Sequence, residues 1–195
     1  MRSGQRGYTL VELLICSAVL LTLLLISAPP LLEASAALRL QTAAAELVGT
    51  LRAARMAALR WDGNAAVKFR PRGDGTVTYA LYRDGDGDGV LNADINSGVD
   101  PELAPPRPLM HFGPRIWFGL PAGPPPPDPG DPGSKLTGDP VRFNRSDLAS
   151  FGPLGTSTPG SLYLTDGRRL VAVRLFGRTG KVRVLVYDAE TKKWR

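Results

Sequence analysis

The chain has 195 residues, 43% hydrophobic and 22% charged, which is enough for one globular domain with an appendage. Its single cysteine, Cys16, excludes an intramolecular disulfide scaffold. Its single histidine, His111, belongs to no Ser/His/Asp, Cys/His or zinc-type arrangement, so we expect a strand or loop residue there and no enzymatic activity. The net charge of +6 lies at the C-terminal end, where residues 166–195 hold nine Lys or Arg against three Asp or Glu.

The N-terminal segment predicts a membrane-spanning helix. Arg2 and Arg6 precede a nearly unbroken apolar stretch, residues 10–28, which is about the minimum length that crosses a bilayer. Positive charges before the span place the N-terminus in the cytoplasm. Glu12 is the one charged residue of the stretch, and a carboxylate in a membrane helix is costly unless a partner compensates it.

Two interpretations of this segment remain open. A secretory signal peptide would have residues 13–26 as its apolar region and Ala34-Ser35-Ala36 as its cleavage site, which leaves Glu12 unexplained. Alternatively, the run Arg6-Gly7-Tyr8-Thr9-Leu10-Val11-Glu12-Leu13-Leu14 resembles the type III signal of type IV pilins and type II secretion pseudopilins.

The pilin-like resemblance covers several features. A short basic leader ends in Gly7, Tyr8 replaces the usual Phe as first mature residue, and Glu12 becomes the fifth. Pro29 falls where pilins carry a helix-kinking proline, and the pair with Pro30 should kink or interrupt the helix more severely. The resemblance implies that a prepilin peptidase removes residues 1–7 and methylates Tyr8. Glu12 would then meet the methylated terminus of a neighbouring subunit.

Beyond the anchor, residues 8–30, a second helical pattern covers residues 31–62. Its apolar residues recur in steps of three and four and form one stripe: Leu40, Ala44, Leu47, Leu51, Ala54 and Ala58. The run Trp61-Asp62-Gly63-Asn64 supplies the stop. We therefore expect one long helix with a kink, whose first half lies in the membrane.

Residues 63–195 predict a β-rich head. Strands are expected at residues 65–70, 76–82, 116–118, 141–143, 162–164, 170–175 and 181–187, the first two forming a hairpin around residues 72–75. Alternation in the last strand places Val182, Val184 and Val186 on one half-buried face. Residues 121–140 are rich in Pro and Gly and predict an exposed, partly polyproline-II loop. The expected fold class is α+β, with a long N-terminal helix packed on an antiparallel sheet.

The helix end at residues 51–60, the strand Val67-Lys68-Phe69 and the glycine-rich C-terminal meander also look like the GspH/FimT group of minor pseudopilins. This resemblance implies a single-pass protein of the bacterial inner membrane with its head in the periplasm. Its partners would be other pilins or pseudopilins, the prepilin peptidase and the inner-membrane assembly platform. It would serve a type II secretion pseudopilus or a type IV pilus.

An acidic loop follows the second strand. Alternating carboxylates followed by Gly89 match the first half of an EF-hand calcium loop, but Ile95 occupies the position of its bidentate Glu. The candidate calcium ligands are Asp84, Asp86, Asp88, Asn92 and Asp94. The alternative is that the Asp-Gly repeats make a soluble turn. If cleavage occurred after Ala36, the chain would be a secreted calcium-binding module.

The basic C-terminal region gives a further alternative. Some FimT-like minor pilins bind DNA through basic C-terminal segments, and such phosphate contacts weaken strongly with salt. The candidate DNA contacts are Arg174, Arg178, Lys181 and Arg183. The simpler interpretation is a solvated charged surface that keeps the head soluble or meets an acidic neighbour.

Overall fold

A computed structural model of the chain describes residues 8–72, 76–109, 116–131 and 133–195. Gly7, the turn glycines Gly73 and Gly75, and His111 lie outside the described residues, so their predicted roles stay predictions. The chain divides into two compact units, Met1–Leu38 and Arg39–Arg195.

The long helix α1 spans Leu10–Arg60. It runs through Pro29 and Pro30 without a break, so the expected interruption is wrong, although the kink stays a prediction. Two adjacent prolines remove only their own two amide donors, and the hydrogen bonds of the flanking turns hold the helix on either side.

The part of α1 after Arg39 confirms the predicted apolar stripe. Leu40, Leu47 and Leu51 are each at most 1% exposed, and the alanines of the stripe, Ala44, Ala54 and Ala58, are also buried. Alanine presents little side-chain volume, so the helix backbone can approach the strands beneath it. Both sheets of the head contribute to the same hydrophobic cluster as this stripe.

Ten strands and a short helix follow in the described residues, and every predicted strand is confirmed to within two residues at either end. In chain order they are β1 (Ala65–Pro71), β2 (Val77–Arg83), α2 (Asn92–Ser97), β3 (Glu102–Pro108), β4 (Trp117–Phe118), β5 (Val141–Arg142), β6 (Leu148–Phe151), β7 (Gly160–Thr165), β8 (Leu170–Phe176), β9 (Lys181–Asp188) and β10 (Lys193–Trp194).

The strands form two antiparallel sheets. The first has the order β3-β2-β1-β6, and the second has the order β10-β9-β8-β7-β4 with β5 also pairing β7. The predicted hairpin is the pair β1–β2, and the predicted meander is β7–β8–β9. The α+β layout expected from the sequence is therefore confirmed.

Phe69 lies at the centre of the main core. Its ring stacks on Phe143 with the centroids 5.8 Å apart and contacts Phe118 edge-on at 6.1 Å. Tyr79, on β2, packs against Phe69 with the ring centroids 6.2 Å apart. Its hydroxyl donates to the Glu46 carboxylate on α1 at 2.5 Å. This hydrogen bond fixes the helix against the first sheet where apolar packing alone would leave its register loose.

Most described residues of the Pro/Gly-rich segment are exposed, as expected, but part of the segment packs on the head. Pro126 and Leu136 are buried, and the backbone of Leu136 donates to the Pro126 carbonyl at 2.9 Å. Asp128 and Ser134 are joined in the same way, and the Trp194 indole donates to the Pro127 carbonyl. Burial of Leu136 with Tyr163, Leu170 and Ala172 provides the packing energy that a polyproline-II excursion would lack.

Strand β9 also differs from its expected burial. Val182 is half-buried against the main core, but Val184 and Val186 are 42% and 40% exposed. On the opposite face, Leu185 and Tyr187 are half-buried and pack on the cluster that contains Tyr163. The alternation is as predicted, but the core does not extend far enough along the valine face to cover it.

Candidate functional site

The first turn of α1 has a defined cap. The hydroxyl oxygen of Thr9 accepts a hydrogen bond from the backbone N–H of Glu12 at 3.2 Å, and the Thr9 carbonyl accepts from Leu13 at 3.1 Å. Thr9 and Glu12 have the Thr-x-x-Glu spacing of a capping box. Glu12 therefore lies in the first helical turn, where the helix dipole favours a negative charge. The spacing was visible in the sequence, but the sequence interpretation did not identify Thr9 as the cap.

The surface of α1 that follows Glu12 is apolar and exposed around its whole circumference. Leu13, Leu20 and Leu25 have 66%, 60% and 75% of their surface exposed, and residues 18–26 are all exposed. Among the described residues, α1 is the one helix long and apolar enough to cross a membrane. Leucine side chains on every side of a helix cannot be stable in water, so this segment requires lipid or other helices around it.

The few polar side chains of this segment bond back to their own helix. The hydroxyl of Ser17 donates to the Leu14 carbonyl at 2.9 Å, and that of Thr22 donates to the Ala18 carbonyl at 2.8 Å. A buried hydroxyl without a partner costs free energy in an apolar medium. These internal bonds make the segment compatible with lipid despite its serines and threonines.

The comparison with protein families matches this segment: residues 2–28 fit the family described as prokaryotic N-terminal methylation motif. The chain carries a type IV pilin-like prepilin signal. The matched residues contain Gly7, Tyr8 and Glu12, and the exposed apolar helix is consistent with membrane anchoring. No curated protein and no solved structure matches the chain.

The acidic loop of this pilin-like chain brings three of its five candidate ligands together. Asp84, Asp86 and Asp88 each place a carboxylate oxygen within 4.8 Å of the others. Gly89, with a φ of 104°, makes the bend that the motif requires. Three oxygens at this separation are a partial shell for a hard cation such as calcium, which takes six to eight oxygen ligands.

The Asp84 carboxylate is held in place by hydrogen bonds. One carboxylate oxygen accepts from the backbone N–H of Gly87 at 2.6 Å, and the other accepts from Gly89 at 2.9 Å and from the Asn64 amide at 2.8 Å. Burial opposes ionisation, but these hydrogen bonds to the charged form outweigh it and lower the pKa of Asp84. Asp84 therefore holds the loop conformation as an anion.

The other carboxylates of the loop repel one another. Desolvation and then Asp86 raise the pKa of Asp88, and desolvation followed by Asp86 and Asp100 raises that of Asp94. A cation would relieve this repulsion. The Asn92 amide nitrogen donates to the Ser146 carbonyl at 3.2 Å, and the role of its side-chain oxygen as a ligand stays a prediction. Calcium binding by this loop stays a prediction.

Sequence reasoning missed Asp100, which is 2% exposed and closes the acidic loop. Its two carboxylate oxygens accept from the backbone N–H groups of Gly85 and Leu91, each at 3.0 Å. A Cβ on Gly85 would lie 1.9 Å from the Val99 carbonyl oxygen, so only glycine fits there. Ile95 packs on the cluster that contains Val90, which explains why an apolar residue stands where a calcium loop has Glu.

Three of the four candidate DNA contacts share one face of the second sheet. Arg174 lies opposite Arg183, and Lys181 lies opposite Phe176, so these four side chains point to the same side. The guanidinium groups of Arg174 and Arg183 lie 5.2 and 5.8 Å from the Phe176 ring centroid. Arg178 is exposed in the turn between β8 and β9. Arg174, Lys181 and Arg183 are thus close in space, as the sequence interpretation requires, and Arg178 belongs to the turn that joins their two strands.

Arg174 is the least accessible of the four candidate DNA contacts. Its Nη1 atom is buried without a hydrogen-bond partner, and a Cβ added at Gly130 would meet it at 2.3 Å. Arg142 lies in the same row of the sheet, with Ser161 between it and Arg174, and pairs with Asp128 at 2.5 Å. The Pro/Gly-rich segment therefore covers one end of the basic row, and Lys181 and Arg183 are its exposed end.

Proposed function

We propose that the chain is a minor pilin or pseudopilin subunit, anchored in the bacterial inner membrane with its β-rich head in the periplasm. The observation that carries the proposal is that the matched residues 2–28 continue into a helix whose apolar side chains are exposed on all sides. In the bilayer this surface is the anchor. In a filament, the same surface packs against the helices of neighbouring subunits.

Cleavage between Gly7 and Tyr8 would create an amino group one turn before Glu12. A carboxylate in an apolar helix bundle is costly unless it is paired, and the methylated amino terminus of a neighbouring subunit is a suitable partner. Glu12 would therefore favour one axial register between neighbouring helices.

The GspH/FimT group of minor pseudopilins is the finer assignment that we propose. It is supported by the order of elements, in which α1 is followed by antiparallel sheets and a C-terminal meander. The proposed partners are other pilins or pseudopilins, the prepilin peptidase and the inner-membrane assembly platform. The filament is a type II secretion pseudopilus or a type IV pilus.

Co-expression with a prepilin peptidase tests the processing step. Gly7→Val should abolish the loss of the leader, because the peptidase of this family cuts after that glycine, whereas the matched variant Gly4→Val should be processed normally. Immunoblots of membrane fractions would resolve precursor from mature chain. Equal processing of both variants would contradict the proposed cleavage position.

Assembly is tested separately from processing. Glu12→Gln should be cleaved but should lose co-purification with pilin or pseudopilin subunits, because the neutral amide no longer pairs with an ammonium group. Glu33→Gln, further along the same helix, is the matched control. Normal incorporation of Glu12→Gln into sheared filaments would remove the role proposed for its charge.

A second candidate function is DNA binding by a FimT-like minor pilin. It is favoured by the placement of Lys181 and Arg183 on one exposed face beside Phe176, since cations and an aromatic ring together suit a nucleic-acid strand. Mobility shifts at low and near-physiological salt test it. The double variant Arg178→Ala and Arg183→Ala should lose binding, and unchanged shifts would exclude these contacts.

The remaining alternative is a secreted calcium-binding module. It requires cleavage after Ala36, and the run Ala34-Ser35-Ala36 lies inside α1. The position of the mature N-terminus distinguishes this alternative from the pilin-like subunit.

A further inference from the structure

Strand β9 has an outer edge that is only partly paired. Val186 exchanges two backbone hydrogen bonds with Arg195, at 2.8 and 2.9 Å, so its N–H and C=O point away from β8. Backbone groups alternate in direction along a strand. The N–H and C=O groups of Val184 and Val182 must therefore point to the same outer side as those of Val186. The N–H and C=O groups of Arg183 and Leu185 point to β8.

The outward groups of Val182 and Val184 have no backbone partner in the part of the chain that the structure describes. Strand β10 pairs only with Asp188 and Tyr187, and the bonds of Arg195 extend this pairing to Val186. Two N–H donors and two C=O acceptors remain along the edge. Such a row is a template on which another strand can add.

The first sheet shows how an edge can be blocked. Strand β3 is the edge of the first sheet, and three of its seven residues are prolines, Pro105, Pro106 and Pro108. Proline has no N–H to donate, so this edge is a poor template. Strand β9 contains no proline, and its edge is therefore chemically open where that of β3 is blocked.

The side chains of β9 beside the open edge are apolar on one face of the sheet and basic on the other. On one face Val184 and Val186 are 42% and 40% exposed, next to the buried Val171 and Val173 of β8. On the other face Lys181 and Arg183 are exposed. A strand added here would bury apolar side chains against the valines and present its alternate residues to two cations.

We propose that the edge of β9 binds an extended segment of a partner protein in which aliphatic and acidic residues alternate. The aliphatic residues would lie beside Val182 and Val184, because Arg195 already occupies the position beside Val186, and the acidic ones would face Lys181 and Arg183. Backbone hydrogen bonds to Val182 and Val184 supply the attachment, and the charges select the partner. This site lies on the head and is independent of the processing of the N-terminal helix.

A synthetic peptide of alternating Val and Glu tests the proposal on the full chain in detergent micelles. Without peptide, the amide hydrogens of Val182 and Val184 should exchange with solvent rapidly, and saturating peptide should slow this exchange at least tenfold. The amide hydrogens of Arg183 and Leu185 should exchange slowly with and without peptide. A peptide with Lys in place of Glu should bind at least tenfold more weakly. Failure of the Val/Glu peptide to protect these amides would overturn the proposal.

Two variants separate strand addition from charge attraction. Val184→Pro removes an outward N–H that β8 does not use, so the sheet should persist while peptide affinity falls at least tenfold. Lys181→Glu with Arg183→Glu should also lose affinity at least tenfold, whereas the exposed control pair Arg72→Glu with Arg145→Glu should not. If Val184→Pro folds, by circular dichroism, and binds as tightly as the parent, the contact is electrostatic only and the proposed strand is wrong.

For a Val184→Pro variant that fails to fold, a peptide N-methylated at alternate positions takes its place. Methylation of the amides that face β9 should abolish binding, and methylation of the intervening amides should not. Equal binding of the two methylated peptides would contradict backbone pairing.

Discussion

Replacing Asp100 by Asn should destabilise the head by about 2–4 kcal/mol. The Asp100 carboxylate is 2% exposed and accepts two backbone N–H groups, from Gly85 and Leu91. An asparagine keeps one oxygen, but its amide nitrogen must face the second N–H as donor against donor. The cost is one charge-assisted hydrogen bond, about 1.5–3 kcal/mol, and a buried N–H left without an acceptor, about 1–3 kcal/mol. Relaxation of the loop recovers part of that sum.

Urea unfolding of the full chain in micelles, followed by tryptophan fluorescence, measures this loss. With a slope of about 2 kcal/mol per molar urea, the midpoint should fall by roughly 1–2 M. Asp94→Asn is the matched control in the same loop. Its pKa is raised by desolvation and by neighbouring carboxylates, so removing its charge should leave stability unchanged or higher. Equal destabilisation by the two variants would refute the assignment of Asp100 as the loop's buried acceptor.

Three further predictions follow from described contacts. Tyr79→Phe removes the hydroxyl that donates to Glu46 and should cost about 1.5–3 kcal/mol in the same urea assay, with no loss if that bond is not formed in solution. The raised pKa of Asp88 means that its ionised form opposes folding, so Asp88→Asn should be more stable than the parent chain at pH 7. This difference in stability should disappear as the pH falls through the raised pKa, because the native carboxyl then becomes protonated. Millimolar calcium should raise the unfolding temperature of the parent chain and not that of a triple variant with Asn at 84, 86 and 88; no shift in the parent would exclude a calcium site.

The lowered pKa of Asp84 has the opposite consequence. Its folded-state pKa lies below the unfolded value, so its contribution to stability is present above the unfolded pKa and is lost as the pH falls through the folded one. Asp84 and Asp88 therefore act in opposite directions within one loop. Acid unfolding of the two single Asn variants separates the contributions.

Much of the fold follows from local sequence periodicity. The stripe from Leu40 to Ala58 and the alternation of β9 are repeated patterns, and each led to the correct element. Strand β3 could not be found in this way, because its three prolines argue against a strand. It exists because an edge strand needs donors on one side only, and because bulges at Tyr79 and Leu81 adjust its register against β2.

The elements that sequence reasoning missed depend on distant contacts. Strand β10 is held by Trp194, whose ring packs 5.1 Å from Tyr187 and whose indole reaches the Pro127 carbonyl. The same contact fixes the Pro/Gly-rich segment, for which composition alone predicted solvent exposure. No local pattern joins residues 127 and 194, so neither placement could be derived from a window of sequence.

The candidate sites likewise include features that local spacing predicts and features that depend on distant contacts. The Thr9 cap and the grouping of Asp84, Asp86 and Asp88 follow from spacing within one segment. The partnership of Asp100 with Gly85 does not, because it depends on the path of the chain through α2. The open edge of β9 depends on which neighbour each strand acquires, and that is a property of the sheet order.

The intact mass and N-terminal sequence of the mature protein, after co-expression with a prepilin peptidase, test whether the chain is processed as a pilin-like subunit. We predict a chain that begins at Tyr8 with a methylated amino group. A chain that begins at Ala37, or one that keeps its first seven residues, would contradict it.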